Sequence, residues 1–200
     1  MNSAAIPFPD SGLALDGLLE LTEGVDLHGG LYQANCKKAS FGCLEDLTSS
    51  EHFVPLEIRA SRSLLDGEEG NYRLMGFYRE SEGRTGHGWS FSFDQTLGPV
   101  QAFLRGSFAD GEISDFETAW SMGASFAAPL GRSHDAIGLG WARGEPKADK
   151  PNEELVELFW RFQVHRYVSI SPDVQWVKNP ADNPDEDNTV VLGVRLLISL

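Results

Sequence analysis

The chain has 200 residues, 16 Lys and Arg against 30 Asp and Glu, a formal net charge of -14 and a pI near 4.6. That balance excludes binding to nucleic acid by phosphate neutralisation, which needs a basic face; it suits plain solubility, or a pore that prefers cations and neutral solutes. Mean hydropathy is -0.26 and no run approaches the ~18 apolar residues of a transmembrane helix, but a transmembrane barrel averages to the same value, because its strands alternate lipid-facing with lumen-facing residues.

The opening stretch, MNSAAIPFPDSGLALDG, has neither a cationic n-region nor an apolar h-region and is not a secretory signal. Residues 1–13 read as an irregular lead-in. Two strands follow at 14–22 and 25–34, joined at Glu23-Gly24. The only cysteines, Cys36 and Cys43, lie in the Gly/Lys/Ser-bearing segment that comes next. Their spacing fits a loop disulfide in an oxidising compartment better than two free thiols or a metal site, which would want more ligands nearby.

From there alternation governs the chain. FVPLEIRASR sets Val54, Leu56, Ile58 and Ala60 against Glu57, Arg59 and Ser61, within a strand at 52–63. Strands follow at 70–82 and 87–97, the second with Trp89, Phe91 and Phe93 against Ser90, Ser92 and Asp94. Further strands fall at 100–109, 116–128 and 134–146. In 152–164, Val156, Leu158, Trp160, Phe162 and Val164 oppose Glu157, Arg161, Gln163 and His165. The last two are 167–178 and 188–200, where Val190, Leu192, Val194, Leu196, Ile198 and Leu200 oppose Gly193, Arg195 and Ser199. Eleven strands result, most with the ~9–11 residues that cross a bilayer at a tilt.

The connections alternate as well. Tight links (Glu23-Gly24, residues 64–69, Leu97-Gly98-Pro99, Leu130–Ser133, His165-Arg166) take turns with longer polar ones (35–51, ESEGRTG, ADGEISDF, GEPKADKPN, NPADNPDEDN). Short turns on one side and long loops on the other describe an outer-membrane barrel, with turns periplasmic and loops extracellular. Trp89, Trp120, Trp141 and Trp176 fall toward the loop-side ends on the apolar face, where an aromatic girdle sits at headgroup level; Trp160 counts closer to mid-strand. The expected fold is an all-β antiparallel meander of about eleven strands, forming a single domain that is all or part of a transmembrane barrel.

Three stretches carry a family resemblance: WSFSFDQTLGPVQAFLRGSFADG, GASFAAPLGRSHDAIGLGWARGEP, and ELFWRFQVHRYVSISPDVQWVKNPADNPDEDNTVVLGVRLLISL. From about Leu74 to the end the chain resembles the carbohydrate-selective (OprB-like) porins, sixteen-stranded barrels of the outer membrane. The resemblance implies passive diffusion of sugars and small solutes, with a non-transport barrel (enzyme or surface protein) as the alternative. Two departures stand out. Such barrels usually end in Phe where this one ends in Leu200, which implies a weaker signal for the assembly machinery, with Leu196, Ile198 and Leu200 facing lipid. The family is also about twice as long, which implies that this is the C-terminal part of a longer porin whose two open edges near 14–22 and 188–200 want partners.

The polar faces project Glu57, Arg59, Arg73, Arg79, Asp94, Arg105, Glu157, Arg161, Asp173, Gln175 and Arg195, together with Glu20 and His28, toward one side. In a pore these line the lumen, offering guanidinium forks and carboxylates to sugar hydroxyls, with Tyr32 and Phe159 as ring faces. Taken singly, each is better explained by cross-strand pairing that solvates the wall. No GxSxG, HExxH or phosphate loop is present. His134-Asp135 reads as turn chemistry, and NPADNPDEDN as a solvated loop rather than a calcium site. The expected partners are outer-membrane lipid and mono- or oligosaccharides, plus further copies of the chain or a missing N-terminal half, with no cofactor, metal or nucleic acid.

Overall fold

Alternating side chains favour a pleated chain with one apolar and one polar face, and the computed structural model forms a single sheet of such strands. It describes residues 5–9, 13–34, 51–65, 68–110, 112–147, 150–180 and 186–199. The strands are β1 Ala14–Thr22, β2 Val25–Gln33, β3 His52–Leu65, β4 Glu68–Ser81, β5 Arg84–Leu97, β6 Val100–Ala109, β7 Phe116–Ala127, β8 Ala136–Pro146, β9 Glu153–His165, β10 Val168–Lys178 and β11 Asn188–Ile198. They form one 11-stranded sheet in sequence order, each strand antiparallel to its neighbour. The expected all-β meander is therefore the fold. Cys36, Cys43, Leu200 and residues 181–185 of the last loop lie outside the described residues.

The register joins the faces into continuous surfaces. Leu139 lies opposite Leu158, Leu158 opposite Val174 and Val174 opposite Leu192, a mid-height apolar row across four strands. Leu192 is 79% exposed and Val194 75%. A soluble protein does not leave so broad an apolar face to water, whereas hydrocarbon is its matching solvent.

Aromatic rings fall in two bands on this face. Toward the loops run Tyr78, Trp89, Phe108, Trp120, Trp141 and Trp176, with Trp89 stacked on Phe108 at 4.3 Å between centroids. The second band was not expected. Trp160 lies opposite Ile137, the second residue of β8, and stacks on Phe162 at 4.9 Å. That puts Trp160 in a turn-side band with Tyr72, Phe93 and Phe126, because β8 begins later than counting along β9 alone suggests. Two bands bracket the apolar rows as the two bilayer interfaces require.

One connection departs from expectation. ESEGRTG is not a long loop: Glu80 pairs with Thr85 and Ser81 with Arg84 around Glu82-Gly83. Both turn residues have positive φ, 54° and 75°. That is the backbone of a two-residue hairpin whose twist matches its strands, and Gly83 adopts it without steric cost.

Asp135 carries turn chemistry, as expected. It is 3% exposed, pairs with Arg132, and accepts the Gln163 backbone N–H at 3.0 Å, tying the β7–β8 connection to β9. The Arg132 guanidinium holds its carboxyl below the usual carboxylate range. A depressed folded pKa means the contribution is complete above the unfolded value of about 3.9 and is lost as pH falls through the lower folded value. Asp135→Asn should therefore lower the melting temperature at pH 7, with the gap from the parent closing below about pH 4. A gap independent of pH would discount the ion pair.

Candidate functional site

The polar face is where function must lie, and glycine shapes it. Phe103 of β6 lies opposite Gly123 of β7, Gly123 opposite Gly140 of β8, and Gly140 opposite Glu157 of β9. Two residues along, on the same face, Gly138 lies opposite Phe159. A Cβ on Gly123 would meet the Phe103 ring at 2.7 Å, and one on Gly138 would run into the Phe159 ring. Each ring thus lies flat over a glycine of the neighbouring strand, which is why those strands tolerate residues that otherwise weaken them. Gly140 between them is bare: a Cβ there would meet nothing nearer than Met122 O at 3.9 Å.

The result is a trough with two ring faces and a backbone floor. It encloses a hollow of about 550 Å³, bordered by Arg73, Asp94 and Glu157 as well as by the two rings. Arg105 steadies one wall: its Nε donates to Ser92 Oγ at 3.2 Å and its Nη2 to Asp94 Oδ1 at 3.1 Å. The same guanidinium stands 4.8 Å from the Phe103 ring centroid. Ordered forks and carboxylates beside ring faces offer donors, acceptors and stacking surfaces at once. That combination suits a flat polyhydroxylated ring.

The remaining polar-face residues fall into separate groups. Glu57 pairs with Arg59, whose Nη2 donates to His28 Nδ1 at 2.8 Å. His28 Nε2 in turn contacts Asp16 Oδ2 at 2.8 Å, and the Tyr32 hydroxyl donates to the same oxygen at 3.1 Å. This chain of side chains crosses β1 to β3 and satisfies itself. Arg79 stands apart near the loops, donating to Pro7 O at 2.8 Å. There Ile6 packs with Phe53, Met75 and Phe77 in an apolar cluster on the polar face, so residues 5–9 cover that part of the wall. A second hollow of about 440 Å³ takes in Arg161, Asp173 and Arg195 and shares Glu157 and Phe159 with the trough. Gln175 donates to Asp173 Oδ1 at 3.2 Å.

Sequence reasoning missed Phe103 and the glycines. The signal was present: two residues from Arg105, Phe103 sits at a parity that otherwise carries polar side chains, and an aromatic out of pattern beside strand glycines marks a ring lying on backbone.

Comparison with known proteins follows the same lines. The profile of the carbohydrate-selective porin, OprB family, matches residues 77–200, more than half of the chain. Porin AaxA of Chlamydia abortus is 28% identical over 117 residues, which are 54% of this chain and 26% of that protein. A Nostoc protein described only as uncharacterised is 26% identical over 165 residues, 78% of this chain and 26% of its own length. The matched part thus spans about a quarter of each of these relatives. The structure of Pseudomonas putida OprB at high pH superposes with a TM-score of 0.80 at 19% identity, covering 92% of this chain and 58% of that one. Its low-pH structure gives 0.70 at 20% identity. Together with the two-faced sheet and its polar trough, the profile match places this chain in the carbohydrate-selective porin, OprB family.

Proposed function

We propose that the chain forms the C-terminal part of an outer-membrane porin wall, with the apolar face to lipid and the polar face to a water-filled lumen crossed by sugars and small neutral solutes. The trough between Phe103 and Phe159 over bare Gly140 carries this reading. Ring faces stack on a pyranose while Asp94, Arg105, Arg73 and Glu157 exchange hydrogen bonds with its hydroxyls, so a solute can pass by trading one set of partners for another. Family and fold point to a channel rather than an enzyme. On this reading the polar-face residues named from the sequence line the pore, except Arg79 under residues 5–9 and the buried Glu57, and a single domain of the outer membrane contains them.

The product of the complete reading frame, reconstituted in liposomes, should admit glucose in a swelling assay; impermeability to monosaccharides would refute the proposal. A second measurement localises the path. Gly140→Leu has room for its Cβ and fills the floor, so it should slow glucose entry several-fold with stability unchanged. Gly138→Leu must displace the Phe159 ring and should cost about 1–3 kcal/mol of stability. Unchanged flux in Gly140→Leu would put the path elsewhere.

A further inference from the structure

The second hollow differs from the trough in how its charges are partnered. Phe162 lies opposite Ile170 and Phe159 opposite Asp173, so Arg161 of β9 falls level with Ser171 of β10. Ser171 lies opposite Arg195 of β11. An Arg–Ser–Arg row therefore crosses three adjacent strands on the polar face. Among the described residues neither guanidinium has an acid within 4.0 Å or any hydrogen-bond partner. Elsewhere on this face Arg59 is committed to Glu57 and Arg105 to Asp94. Arg73 at the trough's border is open but sits on the row between those two paired arginines, so two open guanidiniums share a row only here among the described residues.

The adjoining rows have the opposite character. Asp173 lies across Gly193, where a Cβ would run into its carboxylate, and is held there by Gln175. Glu157 and the Phe159 ring close the side toward the trough. The hollow thus sorts its chemistry by level: two open guanidinium forks and serine hydroxyls at one end, acceptor carboxylates and a ring face at the other.

From this arrangement we infer that the hollow is a binding site for carboxylate-bearing sugars, the uronic or aldonic acids. The carboxylate takes the planar donor forks of Arg161 and Arg195, with Ser171 between them. The ring lies on Phe159, and the ring hydroxyls donate to Glu157 and Asp173. A simple anion lacks the body that Phe159 and the two acids recognise, and a neutral sugar leaves both arginines unanswered. The inference rests on the sugar-pore reading and deepens it, since the shared Phe159 makes this hollow the next station along the trough.

The test uses the product of the complete reading frame, as in the swelling assay, in detergent micelles, with titration calorimetry at constant ionic strength and three probes: D-glucose, D-glucuronate and acetate. Glucuronate should bind at least fivefold more tightly than glucose, and acetate more weakly than either. In the Arg161→Gln/Arg195→Gln double variant glucuronate should fall to the level of glucose, whose own binding is kept. Arg166→Gln, which removes an equal charge at the neighbouring turn where Arg166 stands over Tyr167, should leave the preference intact. Glucose binding without a preference for glucuronate overturns this inference and leaves the sugar pore standing. Acetate matching glucuronate reduces the row to a simple ion site and overturns it too. Failure of every probe to bind removes both readings.

Discussion

Replacing Leu192 by Arg should destabilise the folded sheet by about 2–4 kcal/mol, the cost of a guanidinium on the lipid face near the bilayer midplane. Arg195→Leu, three residues along the same strand, should change stability little. The difference is one of parity. Leu192 continues the apolar row that runs through Leu139, Leu158 and Val174, whereas Arg195 lies opposite Ser171 on the polar face. A charge at position 192 must drag water into hydrocarbon or snorkel past its neighbours. A leucine at 195 only exchanges one lumen-facing side chain for another. Leu196→Arg, nearer the turn-side interface, should fall between the two because the penalty declines with depth. Guanidinium unfolding of the barrel completed by the remaining strands, in phospholipid vesicles and followed by tryptophan emission, measures all three. Equal costs at 192 and 195 would sink the two-faced reading, and with it the membrane assignment of the wall.

The same parity explains what the sequence discloses and what it withholds. Strand positions were legible because period two is imposed by the lipid side: Val190, Leu192, Val194, Leu196 and Ile198 of β11 are all apolar, while the other parity mixes Gly193 and Arg195 with Val191 and Leu197. Boundaries were less legible where pairing extends beyond the patterned stretch. Glu80–Gly86 looks like a polar loop, yet most of it is paired strand around a two-residue turn, because charged side chains on a projecting hairpin violate no burial rule. Trp160 illustrates another limit. Its depth depends on where β8 starts, and that is a property of register between strands rather than of β9 itself. The trough belongs to the same class. Phe103, Gly123, Gly140 and Glu157 come from four strands and meet only because three successive registers align them. The eleven charged and amide side chains could be named as one face, but not divided into the Glu57–Arg59 pair that continues through His28 to Asp16, the Arg105–Asp94 wall and the open Arg161–Arg195 row. That division depends on angstrom-scale reach between side chains, which alternation does not encode.

The largest effect expected concerns the edges of the sheet. Among the described residues β1 pairs only with β2 and β11 only with β10, so the outward N–H and C=O groups of a 9-residue and an 11-residue strand have no partners. In water such edges are tolerable, if sticky. In hydrocarbon each unsatisfied group costs several kcal/mol, and two such edges together exceed the ~5–15 kcal/mol by which folded proteins are stable at all. An open sheet of this kind therefore cannot persist in a bilayer. Its edges must be completed by further strands, by another copy, or by each other. The OprB structure it superposes on has room for the first, since 58% of that chain accounts for the match. On a semi-native gel the 200-residue chain alone, refolded in detergent, should give smeared or high-mass species and no compact monomer band that shifts on boiling. Co-refolding with a polypeptide that supplies the remaining strands should restore that band. Appearance of a compact, heat-modifiable band from the chain by itself would mean that β1 and β11 close on each other, giving a narrower barrel in which Arg195 and Glu20 face across a new seam.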